Sequence, residues 1–151
     1  MRTMQKYLMV QKFQVIVEIP NRDSLTLEGE RDGDRIVSYR LHAKGCPDLL
    51  RLAESWRDKL KGDIKQLAAP VARDHCSLLL KELLFKLKGQ WDFPYKESEL
   101  CHCRVVPAHI VDEAVMMGAD SIFKVSRKTS AGTGCGTCHK DIEAVICFRQ
   151  K

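Results

Sequence analysis

No stretch of this 151-residue sequence is apolar over a length that could cross a membrane. The opening segment Met1–Val10 has no apolar run of the length found in signal peptides. No general base, nucleophile pair or phosphate-binding loop stands out in the sequence either. We therefore expect a cytoplasmic protein that has no membrane partner and is not an enzyme.

Strong charge of one sign is also missing. The net charge is only +5, and basic and acidic residues alternate in segments such as 31–35 and 57–59. Such alternation is typical of a solvated surface and does not predict nucleic-acid binding. With 44% hydrophobic and 30% charged residues, the composition is that of an ordinary globular protein with one moderate core or two small ones.

What the sequence does have is cysteine. It contains seven, an odd number that suits a closed disulfide framework poorly, and disulfides are rare in a reducing compartment. Four of the cysteines form a Cys-x-Cys pair and a Cys-x-x-Cys pair: Cys101, Cys103, Cys135 and Cys138. Four thiolates brought together by a fold select zinc or an iron-sulfur cluster.

The first part of the chain predicts strands followed by helices. Apolar residues alternate over 12–19, and further strands are expected at 25–29 and 35–41 around the turn Asp32-Gly33-Asp34. Helical spacing follows near 49–60 and again from His75 to Gly89. We expect an α+β domain over residues 1–95, with a three-stranded antiparallel sheet and packed helices.

The second part, residues 96–151, predicts a small all-α domain. Pro107 suits the first turn of a helix that ends near Gly118, and Asp120 or Ser121 can cap the next helix. A glycine-containing loop, 129–134, leads to Cys135, and a final helix is expected around residues 142–146. A core this small would gain stability from a cofactor that cross-links it.

Three kinds of cysteine site are compatible with this cysteine spacing. Glycines and the free N–H groups of a helix start favour thiolates near Cys135 and Cys138, and such donors tune the potential of an iron-sulfur cluster. A structural zinc site also uses four sulfurs, although a Cys-x-Cys pair fits the usual zinc knuckle spacing less easily. A redox dithiol would use Cys135 and Cys138 but would leave the other pair without a role.

A family resemblance favours the cluster. The segments Glu99-Leu100-Cys101-His102-Cys103, Thr129–His139 and Ile142-Glu143 resemble the 2Fe-2S module of bacterioferritin-associated ferredoxin and of the central part of NifU. The likeness covers about residues 99 to 147. It implies a small all-helical fold in which the four cysteines hold a 2Fe-2S cluster.

The first part resembles the scaffold domain of NifU and IscU, on which clusters are assembled. Lys44-Gly45-Cys46 and Asp74-His75-Cys76-Ser77 are similar to two of its motifs, and Asn21-Arg22-Asp23 falls where that family has Cys-Gly-Asp. The resemblance implies a second metal site, for Zn or Fe, formed by Asp23, Cys46, His75 and Cys76. Asn21 replaces one expected cysteine, and an amide is a poor ligand for iron. The alternative is that Cys46 and Cys76 are buried small apolar residues.

These likenesses predict a NifU-like protein with an accessory role in iron-sulfur cluster assembly or transfer. A one-electron donor to a docked protein is the alternative. Expected partners are a cysteine desulfurase, a cluster acceptor or an iron-storage protein, and a homodimer is the candidate oligomeric state. Helices over 111–130 also mimic a helix-turn-helix, which leaves DNA binding as a minor alternative.

Three further residues near these motifs are given other roles. His102 and His139 flank ligand cysteines, and we expect both to be exposed and to tune the potential or contact a partner. Cys147 stands between Ile146 and Phe148 and is expected to be a packing residue.

Overall fold

The computed structural model of the chain describes residues 9–151. Three long strands, β1 (Val10–Ile19), β2 (Asp23–Asp32) and β3 (Arg35–Lys44), form an antiparallel meander. The two-residue strand β4 (Gly62–Asp63) adds to β3 at the sheet edge, in the order β1-β2-β3-β4. The expected three-stranded sheet is therefore corrected to four strands; two residues are too few to show alternation in the sequence.

The turns of this meander follow from local residue chemistry. Gly33, with φ of +57°, lies in the turn between β2 and β3, and Asn21, with φ of +59°, lies between β1 and β2. Asparagine tolerates this left-handed conformation better than most residues. The position where the resemblance implied a cysteine ligand is thus an exposed turn.

Five helices occur within residues 9–151. They are α1 (Pro47–Trp56), α2 (His75–Leu87), α3 (Ala108–Met116), α4 (Ile122–Thr129) and α5 (His139–Gln150). Ser121 caps α4 by accepting a hydrogen bond from the Lys124 backbone N–H at 3.2 Å, as its position before the helix predicts. A short 3₁₀ turn covers Ile64–Gln66. The α+β class is confirmed.

Backbone contacts divide the described chain into two compact units. The first runs to Pro70 and includes Leu79–Gln90, and the second comprises Val71–Leu78 and Trp91–Lys151. In the first, α1 packs against β3, and the apolar residues of β1 and β2 that alternate with polar ones are buried: Val17, Ile19, Leu25 and Leu27. The functional boundary near residue 95 stays a prediction.

The second unit contains more than helices. Strands β5 (Glu99–Cys101) and β6 (Val106–Pro107) form a short antiparallel hairpin ahead of α3. An all-α domain is therefore not confirmed. The apolar core of this unit joins the hairpin to α3, α4 and α5: Leu100, Val106, Val111, Val115, Val125, Ile142, Val145 and Ile146.

Cys147 corrects one sequence expectation. Its sequence neighbour Ile146 is buried, but Cys147 itself is exposed. The reason is the period of α5, which directs Ile142, Val145 and Ile146 inward and Cys147 outward.

Candidate iron-sulfur site

The first cysteine pair is carried by the β5–β6 hairpin. Cys101 is the last residue of β5 and is buried, whereas Cys103 lies in the following turn and is exposed. Val105 closes that turn with φ of +54°, a conformation that is rare for a β-branched residue. The hairpin therefore presents two sulfurs from one tight backbone segment, one facing inward and one facing solvent.

The second pair is carried by the loop between α4 and α5. Three residues of this loop have left-handed backbone: Ser130 with φ of +67°, Gly132 with +76° and Gly136 with +75°. Cys138 lies directly before α5, and its carbonyl accepts the Ile142 N–H at 2.9 Å. The loop thus delivers Cys135 and Cys138 at a helix start, as the sequence predicts.

The fold brings all four sulfurs into one chain of contacts. The Sγ atoms of Cys101 and Cys103 are 3.8 Å apart. The Cys101 sulfur also contacts that of Cys138, and the Cys103 sulfur contacts that of Cys135. Two stretches of sequence separated by residues 104–134 therefore meet at a single site, with Cys138 and Cys101 buried and Cys103 and Cys135 exposed.

Backbone N–H groups surround the sulfurs. The Gly132 N–H donates toward both Cys101 and Cys138, and the Arg104 N–H also donates toward Cys101. On the exposed side, the Thr137 N–H donates toward Cys135. Such donors stabilise negative sulfur and are a regular feature of cluster sites.

Thr137 strengthens the effect at the exposed pair. Its Oγ1 lies 3.2 Å from the Cys135 Sγ, and this hydroxyl, together with the backbone N–H of the same residue, lowers the pKa of Cys135 to about 7. Thr137 was not predicted from the sequence as a functional residue. The available signal was a hydroxyl side chain inside the Cys-x-x-Cys pair.

The pKa values of the two buried thiols are shifted in opposite directions. Burial, helped by contact with the Cys101 sulfur, raises the pKa of Cys138 to about 11. Burial opposes ionisation of Cys101 too, but the N–H groups of Gly132 and Arg104 outweigh it and lower the pKa of that thiol.

Cys103 completes the pattern on the exposed side. The Cys135 N–H favours its thiolate, but contact with the Cys101 sulfur and burial outweigh that donor and raise the pKa of Cys103. Each close pair therefore combines one thiol whose pKa is lowered with one whose pKa is raised. Binding of metal ions would displace the remaining thiol protons, because cysteine ligates a metal as the thiolate.

The donor set fits a 2Fe-2S cluster. It offers four sulfurs at one place and backbone N–H groups directed at them. If the cluster is bound, Cys101, Cys103, Cys135 and Cys138 are the residues that hold it. The same four sulfurs also suit a tetrahedral zinc ion.

The two flanking histidines form hydrogen bonds with groups other than the site cysteines. His102 Nδ1 lies 2.8 Å from Glu99 Oε1, and this hydrogen bond raises the pKa of His102. His139 Nε2 lies 2.8 Å from the Gly132 carbonyl oxygen. Both are exposed, as expected. Their effect on the potential or on a partner stays a prediction.

Comparison with known families supports the cluster. Residues 100–147 match the family model described as the BFD-like [2Fe-2S] binding domain. This segment therefore provides the chain with a 2Fe-2S binding domain. No curated protein and no solved structure matches the chain. The likeness to a NifU scaffold in the first part is not confirmed.

The residues expected at a second metal site lie as follows. Asp23 is buried, and its Oδ1 accepts the Cys46 backbone N–H at 2.7 Å. His75 Nε2 and the Sγ of the buried Cys76 are 3.4 Å apart at the start of α2. Cys46, just before α1, is partly buried. A metal site on these four residues stays a prediction.

No helix in residues 9–151 is both long enough and apolar enough to cross a membrane.

Proposed function

We propose that this protein binds a 2Fe-2S cluster through Cys101, Cys103, Cys135 and Cys138 and has an accessory role in iron-sulfur cluster assembly or transfer. The observation that carries the proposal is the chain of sulfur contacts joining the β5–β6 hairpin to the loop before α5. The family match over residues 100–147 supports the same cofactor.

The two sides of the site have different tasks. Cys101 and Cys138 are buried and anchor the cluster to the core of the second unit. Cys103 and Cys135 are exposed, so a partner protein can approach the cluster from that side. When bound, a 2Fe-2S cluster takes up and gives back a single electron. Exposed ligands on one side suit exchange with an acceptor.

A second group of ligand-type side chains favours iron handling over electron transfer alone. Cys46, His75 and Cys76, which the resemblance to a scaffold domain assigns to one site, would supply two thiols and an imidazole, a donor set that suits Zn or Fe(II). We propose one such ion there. A pure electron carrier has no need of this set.

The alternative function is a one-electron donor to a protein partner such as an iron-storage protein. The exposure of Cys103 and Cys135 favours it, because electron transfer requires the cluster close to the partner. In either case we propose protein partners, with a cysteine desulfurase or a cluster acceptor favoured by assembly, a cytoplasmic location and no enzymatic activity of the chain itself.

Metal and sulfide analysis of anaerobically purified protein tests the cofactor. We expect about two irons and two sulfides per chain, and an electron paramagnetic resonance signal after reduction. Cys135→Ser should lose most of the cluster, whereas Cys147→Ser, which changes an exposed cysteine outside the site, should keep it. A single zinc without sulfide, lost in Cys135→Ser, would replace the proposal by a structural zinc site.

A transfer assay separates the two functions. Loaded protein is mixed with an apo-ferredoxin, and the cluster is followed by visible circular dichroism. Movement of the cluster to the acceptor supports assembly, whereas retention through repeated reduction and oxidation supports electron transfer. Zinc or iron that remains in Cys135→Ser but is lost in Cys76→Ser would identify the second ion site.

A further inference from the structure

The Ala131–Gly132 peptide has an unusual position in the site. Its N–H, which belongs to Gly132, donates toward the two buried sulfurs, those of Cys101 and Cys138. Ala131 is itself completely buried, at 0% exposure. Since glycine is free to rotate at both backbone torsions, something must hold this peptide in its orientation.

The opposite end of the same peptide has a partner. Ser126 Oγ, on α4, donates to the Ala131 carbonyl oxygen at 2.6 Å. The atoms form a continuous series: the serine O–H, the Ala131 carbonyl, the Gly132 N–H and two sulfurs. Hydrogen bonds in series polarise one another, so a donor at the carbonyl strengthens the N–H as a donor to sulfur.

The next peptide is held as well. His139 Nε2 lies 2.8 Å from the Gly132 carbonyl oxygen. A carbonyl can only accept, so this nitrogen carries the proton. Both torsions of Gly132 are therefore constrained, which leaves its N–H fixed toward the sulfurs.

We infer that Ser126 is a positioning residue for the cluster: through the Ala131–Gly132 peptide it directs and polarises the hydrogen bond to Cys101 and Cys138, and so raises the reduction potential. This rests on the proposed cluster binding. Hydrogen bonds to sulfur stabilise the reduced cluster, which carries one more negative charge. Ser126 acts through the peptide and is not a ligand.

The loop offers a matched control. Thr133 Oγ1 donates to the Ser130 carbonyl at 2.7 Å, a hydroxyl-to-carbonyl bond in the same loop. The N–H of that peptide belongs to Ala131 and bonds to the Thr129 hydroxyl at 3.1 Å. It does not reach a sulfur. Thr133→Val therefore removes a similar bond without affecting the donor to the cluster.

The experiment compares Ser126→Ala, Ser126→Thr and Thr133→Val in the full chain by redox titration of the loaded protein at high salt. At a fixed applied potential we expect the ratio of reduced to oxidised Ser126→Ala protein to fall about three- to tenfold, tenfold being about 59 mV for one electron. Ser126→Thr keeps the hydroxyl and should retain the wild-type potential. Thr133→Val should also retain it.

A second measurement does not depend on the cluster. In apo-protein with its cysteines kept as free thiols, amide hydrogen exchange at Gly132 should be faster in Ser126→Ala than in the wild type and in Thr133→Val. Unchanged exchange together with an unchanged potential would overturn the inference, as would an equal potential shift in Thr133→Val. If Ser126→Ala fails to load, faster Gly132 exchange together with a native potential in Ser126→Thr supports it, and unchanged exchange overturns it. A colourless wild type refutes cluster binding, and the exchange data then decide separately whether Ser126 holds the peptide.

Discussion

Gly134 lies so close to Cys103 that a Cβ added at position 134 would come within 2.6 Å of the Cys103 Sγ. The atom in the way is the end of a flexible side chain, which can rotate without disturbing the backbone. Such a rotation would, however, move one of the four sulfurs out of the site. The glycine at 134 thus serves the ligand geometry more than the fold.

We therefore expect Gly134→Ala to fold normally but to load poorly. Its far-UV circular dichroism and unfolding midpoint should match those of the wild type. Its iron and sulfide content after anaerobic reconstitution should fall at least about fivefold, because ligand sets tolerate little displacement. Full loading of Gly134→Ala would show that Cys103 has another way to reach the site.

Cys135 should be the most reactive site cysteine in the apo-protein. Since Thr137 lowers the pKa of Cys135 to about 7, a large fraction of this exposed thiol is ionised at neutral pH. Alkylation by iodoacetamide, followed by mass spectrometry, should rise through pH 7 and then level off. Cys147, exposed and outside the site, serves as the internal reference.

The companion variant is Thr137→Val. Without the hydroxyl, Cys135 should be labelled about three- to tenfold more slowly relative to Cys147 at neutral pH, since one pKa unit corresponds to tenfold in thiolate. An unchanged labelling ratio would mean that the threonine has no part in activating this sulfur.

How much of this could be predicted from the sequence depended on the length of each element. Alternating apolar residues predicted the long strand β1, and the four candidate ligand cysteines were proposed from their spacing and a family likeness. The hairpin strands β5 and β6 are three and two residues long, too short for any period to appear. The turn at Val105 has no cue either, because a β-branched residue does not normally predict positive φ.

Contacts between residues that are distant in the sequence could not be predicted either. Consecutive residues of a helix face different directions, so Cys147 is exposed although the residue before it, Ile146, is buried. The bond from Ser126 to Ala131 depends on the loop doubling back against α4, which no spacing rule encodes.

The pair Arg149–Asp112 joins α5 to α3 in the second unit. Arg149 Nε donates to Asp112 Oδ1 at 2.7 Å and Nη2 to Oδ2 at 2.6 Å, and the guanidinium lies 4.9 Å from the Trp91 ring centroid. The arginine side chain is only 4% exposed. Removing the carboxylate would take two charge-assisted hydrogen bonds away from this buried guanidinium.

Asp112→Ala should therefore lower the free energy of unfolding by about 3 kcal/mol, measured by urea denaturation of the apo-protein. The control is Asp92→Ala, which removes an ion pair with Lys96 on the surface of the same unit. That change should cost clearly less than Asp112→Ala, because water and salt screen an exposed ion pair. Equal losses in the two variants would show that burial does not distinguish these pairs.

Asp74 stabilises the start of α2 in a pH-dependent way. Its Oδ1 accepts the Ser77 backbone N–H at 2.8 Å, and this bond lowers the pKa of the Asp74 carboxyl below its usual value. The folded state therefore binds the proton less tightly than the unfolded state. The contribution to stability is present above the unfolded pKa and is lost as the pH falls through the folded pKa.

We expect Asp74→Ala to cost about 1 kcal/mol at neutral pH, the usual loss for a helix cap. The difference from the wild type should shrink as the pH falls below about 4, the usual pKa of the unfolded carboxyl, and should be largely lost below the lowered pKa of the folded one. Asp74→Asn keeps an acceptor oxygen without titrating, so its stability should fall less steeply with acid than that of the wild type. A constant Asp74→Ala deficit between neutral and acid pH would show that the carboxylate charge has no role in the cap.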